Sequence, residues 1–236
     1  MLQVRASEQR GKVDMGWLQS QHSFSFGDYY DQQHMGFGPL RVINDDWIAG
    51  GEGFGTHGHK DMEIITYVLS GNLEHKDSMG NGSVLRYGDV QRMSAGTGVQ
   101  HSEFNHGRDE VLHLLQIWIM PKFRGIRPGY EEKHFDADSK RGRLRLIVSS
   151  DGRDGSVAMN QDGAIYASIL RAGDTLSHEL APGRIAYVHV ALGKLVVNGV
   201  SLNTGDALKV TDENLLTLAQ ADAERGAEVL LFDLPA

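Results

Sequence analysis

The chain of 236 residues contains no cysteine and only five prolines, and Lys and Arg are outnumbered by Asp and Glu, 23 to 31. Without cysteine the chain has no disulfide, no thiolate zinc or iron–sulfur site and no Cys nucleophile. The formal charge of −8 argues against direct binding to nucleic acid, because that binding depends on basic side chains that neutralise phosphates.

Long apolar runs are also missing. The longest, residues 111–120, is interrupted by His113 and Gln116 and falls short of the roughly 20 residues that a membrane helix needs. Residues 1–18 lack the apolar segment of a secretory signal. The sequence therefore predicts a cytoplasmic protein without a membrane partner.

Helical periodicity is scarce, and only residues 211–218 could form a short turn of helix. Glycine is abundant, with 29 residues, and short apolar runs alternate with Gly, Asn and Asp. This pattern is typical of strands joined by turns. The predicted strands are residues 63–70, 111–120, 185–191, 195–198 and 229–234. The sequence predicts an all-β fold.

The composition changes after Met120, where PKFRGIRPGYEEKHFDADSKRGR is charged and carries two of the five prolines. Such a segment is typical of a connection between domains. The predicted organisation is an N-terminal domain over residues 1–135, a linker over residues 136–143 and a C-terminal domain over residues 144–236.

The two halves share short motifs. YVLSGNL (residues 67–73) resembles HVALGKL (residues 189–195) at an offset of 122, and YGDVQRM (residues 87–93) resembles TGDALKV (residues 204–210) at an offset of 117. Each half thus has the order strand, Gly turn, strand, Gly-Asp turn, strand. This repetition predicts a duplicated small β-barrel or sandwich.

Two short histidine motifs indicate a metal site. In a strand, residues i and i+2 project from one face about 6.6 Å apart, so His57 and His59 present two imidazoles together, and His101 and Glu103 present an imidazole and a carboxylate. If the two strands are adjacent, the four groups converge. Three nitrogen donors and one oxygen donor suit Fe(II), Mn(II), Ni(II), Cu(II) or Zn(II).

Glu63 is the alternative carboxylate, because it has the same strand parity as His57 and His59. On a straight strand it would lie about 13 Å beyond His59, so it reaches the metal only if the chain bends. Glu103 is therefore the first choice, and Glu63 is a ligand, a partner of a ligand or a structural carboxylate.

The spacing Gly51-x5-His57-x-His59-x3-Glu63-x7-Gly71 followed by Gly88-x12-His101-x3-Asn105 resembles the two cupin motifs, with one extra residue before Gly71 and two before His101. The pirin family shares these departures. The chain is similar to bacterial pirin-like proteins, described as quercetin 2,3-dioxygenases, in the segments HSFSFGDYYD, MGFGPLRVINDD, THGHKDMEIITYVLSG, MSAGTGVQHSE and LHLLQIWIMP.

The resemblance implies a bicupin, with two tandem antiparallel β-sandwich or barrel domains of jelly-roll type, in a monomer. It places the metal ligands on His57, His59, His101 and Glu103, with Fe(II) favoured. The metal belongs to the N-terminal domain only. The offsets agree, because they place Glu179, Ala181, Leu218 and Gln220 where these ligands stand.

The activity that the resemblance implies is dioxygenase cleavage of a flavonol such as quercetin with O2, releasing carbon monoxide. Glu103 is the candidate base for the substrate hydroxyl. Two alternatives stay open. In the first, the chain is a pirin-like metal-binding regulatory protein that acts through a protein partner. In the second, it is a cupin enzyme for another small molecule, because one fold hosts many reactions.

The sequence also predicts where four other histidines and one aromatic cluster lie. Four histidines in polar segments are predicted to lie at the surface or at a pocket rim: His22, His34, His75 and His106. The cluster of Phe24, Phe26, Tyr29 and Tyr30 either lines an aromatic pocket or packs the N-terminal segment over the barrel mouth.

Overall fold

The computed structural model describes all residues, 1–236, and its fold is almost entirely antiparallel β. The single α-helix, α1, is Ala137–Lys140. The strands are β1 Leu2–Arg5, β2 Gly11–Asp14, β3 Leu18–His22, β4 Leu40–Ile48, β5 Gly53–His59, β6 Glu63–Ser70, β7 Asn72–Asp77, β8 Gly82–Arg86, β9 Asp89–Ser94, β10 Val99–Asn105, β11 Leu112–Ile119, β12 Gly129–His134, β13 Arg145–Ser149, β14 Val157–Ala158, β15 Ala164–Leu170, β16 Thr175–Glu179, β17 Arg184–Val197, β18 Val200–Asn203, β19 Ala207–Val210, β20 Leu215–Ala219 and β21 Ala227–Pro235.

The chain divides into two compact units. The N-terminal unit comprises Gly11–His134 and Val157–Gln161, and the C-terminal unit comprises Met1–Arg10, Phe135–Ser156 and Asp162–Ala236. The N-terminal unit contains a seven-stranded sheet of order β12-β9-β6-β11-β4-β3-β2 and a four-stranded sheet of order β5-β10-β7-β8. The two sheets are separate, so this unit is a sandwich rather than a closed barrel.

The core of the N-terminal unit lies between its two sheets. Leu73 and Leu85 of the four-stranded sheet pack with Val68, Leu112 and Leu114 of the seven-stranded sheet. Because side chains alternate along a strand, every second residue of β6 and β11 faces this core. Burial of these apolar side chains is the main favourable contribution to folding of the unit.

The C-terminal unit repeats this arrangement. Its two layers are parts of one continuous sheet, because the long strand β17 takes part in both. The larger layer has the order β1-β19-β17-β21-β15-β13, and the smaller layer joins β16, β20, β17 and β18 in that order. One continuous cluster of buried aliphatic side chains fills the unit, including Leu195, Leu202, Leu216, Leu218 and Leu231. The predicted all-β bicupin fold is therefore confirmed, with sandwiches rather than barrels.

The shared glycines are at equivalent places in the two units. Gly71 has φ 79° and Gly193 has φ 82°, a left-handed conformation that favours glycine. A Cβ at Gly71 would lie 2.9 Å from Leu112 Cα, and a Cβ at Gly193 would lie 2.0 Å from the Gly226 carbonyl oxygen. Both the backbone conformation and the close neighbour therefore require glycine at this turn.

The boundaries predicted from composition differ from the structural units at three places. Residues 1–10 belong to the C-terminal unit, because β1 pairs with β19. Residues 157–161 belong to the N-terminal unit, where Asn160 N donates to Glu63. The predicted linker, residues 136–143, is not a loose connection, since it contains α1 and the fully buried Lys140, which pairs with Glu228 at 3.0 Å.

Two predictions of secondary structure made from local sequence also differ from the structure. Residues 211–218 form no helical turn, because Leu216 and Leu218 are buried on β20, which pairs with β16 and β17. The two predicted strands at residues 185–191 and 195–198 are one strand, β17, bent by a register shift near Leu192. With α1 only four residues long, no helix is long enough to cross a membrane.

Candidate metal centre

Three histidines meet on the four-stranded sheet of the N-terminal unit. Strands β5 and β10 are antiparallel neighbours, and their register places His101 directly opposite His57. The ring centroids of His57, His59 and His101 lie 4.5–4.9 Å apart, and their ligand atoms are all within 4.8 Å of one another. His101 is buried, whereas His57 and His59 are half-buried. The sequence motifs predicted this convergence through the common parity of His57 and His59.

The orientation of His57 leaves a nitrogen free for a metal. Its Nδ1–H donates to the Gly55 carbonyl at 2.8 Å, so the lone pair is on Nε2. This Nε2 lies 3.1 Å from Nε2 of His101. Two nitrogens that are each about 2.1 Å from one ion are separated by roughly this distance. The arrangement therefore fits a divalent transition metal.

Burial keeps the other two imidazoles neutral. Burial, together with the nearby His101 and His57, lowers the pKa of His59 to about 4. Burial and the neighbouring His57 and His75 lower the pKa of His101 to about 3. Because a metal binds only the neutral imidazole, both rings are in their ligand form at neutral pH.

Strand β5 has a bulge at residues 55–56, opposite the step from His101 to Glu103, and Glu103 is not in the group of ligand atoms formed by the three histidines. The β5–β10 register shifts between His101 and Glu103. Its carboxylate instead groups with ligand atoms of His75 and His101, all within 4.8 Å of one another. The four predicted ligands thus belong to two groups of ligand atoms that share His101, one made of the three histidines and one that contains Glu103.

Three neutral donors from the seven-stranded sheet hold the Glu103 carboxylate. Gln116 Nε2 donates to Oε2 at 2.8 Å, Gln91 Nε2 donates to Oε1 at 3.3 Å, and the Thr66 hydroxyl lies 3.4 Å from Oε1. All four side chains are buried or nearly so. Buried polar groups of this kind are stable only when they are hydrogen-bonded, so the network fixes the direction of the carboxylate.

The donors belong to a row of polar residues that sequence reasoning missed. Paired positions run across five neighbouring strands of the larger sheet in the order His22, Asn44, Gln116, Thr66 and Gln91. One signal was available, because Gln116 interrupts an apolar strand and Asn44-Asp45-Asp46 interrupts another. What the sequence did not indicate is that these interruptions align.

His75 corrects a prediction. It is fully buried rather than at the surface, its ring stacks on Tyr130 at 4.9 Å, and it lies 5.4 Å from the His101 ring. Its Nε2 is 3.3 Å from Asp77 Oδ2. Because His75 alternates with the core residue Leu73 on β7, both face inward. His22 is also buried, whereas His106 is exposed and His34 is half-buried.

Glu63 is buried but faces away from the histidines. It accepts hydrogen bonds from Ser94 Oγ at 2.9 Å and from Asn160 N at 3.1 Å. Its neighbour Ile64 lines the cavity described below, so Glu63 points to the opposite side of β6. Burial raises the pKa of the Glu63 carboxyl. The structural role considered for Glu63 therefore agrees with the geometry, and ligation does not.

The histidines open into a cavity of about 420 Å³. Its apolar walls include Trp17, Phe26, Phe54, Ile64 and Trp118, and its polar surface includes Asn44, Asp46, Gln116, Glu103 and the three histidines. Phe26 and Trp118 meet edge to face at 5.2 Å, and Trp118 meets His59 at 4.9 Å. A larger groove of about 610 Å³ beside Trp47 holds none of these ligand atoms.

The aromatic cluster of residues 24–30 does not act as one unit, because only part of it lines the cavity. Phe26 lines the cavity, Phe24 is buried, and Tyr30 is 72% exposed. The cavity is of the size usual for a small-molecule site, roughly 300–1,000 Å³. Its flat aromatic walls suit a planar ligand.

Asp46 is the most strongly perturbed carboxyl group of the cavity. It is buried and accepts a hydrogen bond from the Ser20 hydroxyl. Burial raises the pKa of Asp46 to about 7, and the nearby charges of Asp45 and Glu103 act in the same direction.

Two sandwich units in tandem, with clustered histidines in the first, define a bicupin with one candidate metal centre. Comparison of the sequence with known families agrees. The Pirin family matches residues 3–119, and the quercetinase C-terminal cupin domain matches residues 146–234. The chain belongs to the pirin family.

Similar proteins match over the full length of the chain. Quercetin 2,3-dioxygenase of Escherichia coli K12 is 48% identical over 235 residues, which cover 100% of this chain and 99% of the relative. A pirin-like protein of Caulobacter vibrioides is 40% identical, covering 99% of each chain.

Solved structures give the same result. The crystal structure of YhhW from E. coli has a TM-score of 0.95 at 48% identity, and the match covers 100% of this chain and 98% of that one. The structure of bacterial pirin YhhW in complex with nickel(II) has a TM-score of 0.93 at 47% identity, covering 100% and 99%.

Proposed function

We propose that this protein is a metal-dependent dioxygenase that cleaves a flavonol such as quercetin with O2. The observation that carries the proposal is a histidine trio in the wall of an aromatic-lined cavity of about 420 Å³. The name of the E. coli relative, quercetin 2,3-dioxygenase, supports the choice of substrate. The cavity favours a small-molecule enzyme over a regulatory protein that needs no substrate space.

We assign His57, His59, His101 and Glu103 as the metal ligands. The three imidazoles are oriented toward one another, and Glu103 shares a group of ligand atoms with His101. When bound there, a divalent metal supplies a Lewis acid that lowers the pKa of the substrate 3-hydroxyl. Fe(II) is the first candidate, from family resemblance, and Ni(II) is its competitor because a related pirin structure is a nickel(II) complex.

The remaining steps fall to the side chains. Trp118, Phe26 and Phe54 orient the planar rings and exclude water from the reacting centre. Glu103 accepts the proton of the 3-hydroxyl, and Gln116 and Gln91 hold its carboxylate in place for this transfer. The flavonolate is then the species that reacts with dioxygen.

The deciding experiment combines metal analysis with turnover. Protein purified without oxygen is analysed for metals and then assayed with quercetin under O2. A His101→Ala variant removes a ligand, and His178→Ala is the matched histidine control in the C-terminal unit. Turnover that follows metal content and is lost only in His101→Ala supports the proposal. Full metal content without quercetin turnover contradicts it and favours another substrate or a regulatory role.

The role of Glu103 as a base has its own test. Glu103→Gln keeps an oxygen donor but removes the basic carboxylate. We expect much of the metal to be retained and most turnover to be lost, about a hundredfold or more. Unchanged turnover in Glu103→Gln would exclude the base role.

A further inference from the structure

The cavity has a second polar surface, on β4, that the proposed reaction leaves unused. Asn44 and Asp46 are two positions apart on this strand, so both project from the face that lines the cavity. They are 3% exposed each. The histidines lie on the other sheet, on β5 and β10. A ligand between the two sheets therefore has polar groups on both sides.

Asn44 has an unused hydrogen-bonding atom. Its side-chain oxygen is buried and has no donor within hydrogen-bond distance. Burying an unpaired carbonyl oxygen costs free energy, so such atoms are rare in native proteins, and a bound ligand can supply the missing donor. The atom belongs to a cavity-lining residue, and rotation of the side-chain amide about its Cβ–Cγ bond would present it to a hydroxyl of a bound ligand.

Asp46 complements Asn44. Its carboxyl accepts one hydrogen bond, from Ser20, and the charged groups that act on it, Asp45 and Glu103, are both acidic. No lysine or arginine lines the cavity to neutralise it. A carboxyl group in such surroundings is best satisfied by a neutral ligand that donates a hydrogen bond, and an anionic ligand group would be repelled.

The apolar part of the cavity restricts the shape of the ligand. Trp17, Phe26, Phe54 and Trp118 provide flat aromatic walls. Such walls favour a planar aromatic ring system over an aliphatic chain of equal size. Together with the two polar acceptors, they select aromatic rings that carry hydroxyl groups.

We propose that Asn44 and Asp46 form a hydroxyl-recognition site, which binds a phenolic hydroxyl of the substrate other than the one at the histidines. This inference rests on the proposed function and refines its substrate class. The substrate is a planar polyphenol with hydroxyl groups at two separate places. A hydroxyl at the second place donates to Asn44 Oδ1 or to the Asp46 carboxylate.

The test measures binding without oxygen, so that no turnover occurs. Flavonols that all keep the 3-hydroxyl but lack either the ring-A or the ring-B hydroxyls are titrated against the metal-loaded protein. The variants are Asn44→Leu, which is close in size but apolar, and Asp46→Asn. Gln19→Leu is the control, because Gln19 is exposed outside the cavity.

We expect the wild-type protein to bind one hydroxylated flavonol at least tenfold more tightly than its deoxy analogue. The preference should fall to about twofold or less in Asn44→Leu or Asp46→Asn, with metal content unchanged, and persist in Gln19→Leu. A preference that persists in both cavity variants, or a wild-type protein that binds all flavonols equally, overturns the inference but not the proposed function. A wild-type protein that binds no flavonol overturns both.

Discussion

The two units have the same strand arrangement but opposite interiors. In the N-terminal unit, Glu103 is paired with His75 across β10 and β7. At the same place in the C-terminal unit, Leu218 is paired with Val197 across β20 and β17. Both aliphatic side chains are fully buried. The same fold therefore supports either a polar cavity or a continuous apolar core.

The histidine position differs in the same way. His57 is opposite His101 in the first unit, and His178 is opposite Leu216 in the second. This pairing places Leu216 and Leu218, rather than Leu218 and Gln220, at the positions of His101 and Glu103. The offset of 117 was wrong by two residues here, since it was taken from a different turn. The offset of 122 was wrong by one, because His178 rather than Glu179 is at the position of His57. His178 pairs instead with Asp233 at 2.8 Å.

The polar cavity interrupts the apolar core of the N-terminal unit, whereas the C-terminal unit keeps a continuous one. The C-terminal unit has one aliphatic cluster, whereas the N-terminal unit has separate clusters around Leu114 and around Met93. The polar cavity takes the place of the apolar contacts that would join them. Burial of polar groups is compensated only through hydrogen bonds or ligands.

The largest effect is expected when a metal-ligand position of the N-terminal unit is given the residue of the C-terminal unit. His101→Leu copies Leu216. We expect metal binding to be lost and turnover to fall by about a thousandfold or more, because the Lewis acid is absent. The metal-free variant should be more stable than the metal-free wild type by roughly 1 kcal/mol, since a buried unpaired imidazole nitrogen is removed. Urea unfolding and metal analysis measure both effects, and equal metal content in the two proteins would contradict the prediction.

The acidic group in the cavity gives a pH-dependent difference. In the folded protein the pKa of Asp46 is about 7, above its ordinary value of 3.8, so folding favours the protonated carboxyl. This contribution to stability is fully present below pH 4 and is lost as pH rises toward 7. One pKa unit corresponds to about 1.4 kcal/mol, so the loss of folding stability on ionisation of Asp46 approaches ~4 kcal/mol at pH 7. Metal-free Asp46→Asn should therefore gain stability over the wild type between pH 4 and pH 7. Urea unfolding across this range measures the gap, and a gap that is constant with pH would disprove the assignment.

Truncation of a core side chain in the C-terminal unit should lower the stability of the protein without affecting metal binding. Leu216→Ala should destabilise the protein by about 2–5 kcal/mol, because Leu216 is fully buried in the aliphatic cluster. The metal content per folded molecule should not change, since no candidate ligand lies in this unit. Denaturation by urea and metal analysis of the folded protein check the two parts. A loss of metal from the folded variant would show that the units are not independent in this respect.

The smallest expected effect concerns His75. His75→Val copies Val197 and removes the ring next to His101 and Glu103. We expect metal affinity to fall by about tenfold, because groups that contact ligands orient them. Metal competition with a chelator measures the affinity. His106→Val is the control, since His106 is exposed, and an equal change in both variants would exclude a specific role for His75.

Much of the fold and part of the site could be predicted from the sequence. The strand at residues 63–70 matches β6 residue for residue, and the i,i+2 spacing brought His57 and His59 together with His101. These predictions succeeded because strand alternation and turn glycines act within a few residues. The bulge in β5, which shifts the register between His101 and Glu103, depends on how β5 pairs with β10 and not on local sequence.

By itself, the sequence determined an all-β chain, a duplicated strand pattern, glycine at the turns and the parity of the histidine motifs. Each follows from local backbone geometry. Tertiary structure decided which residues surround the site: the burial of His75, the row of Asn44, Gln116, Thr66 and Gln91, and the place of residues 1–10 in the C-terminal unit. Alternation fixes the face of a strand, but only long-range strand pairing decides what lies beside that face.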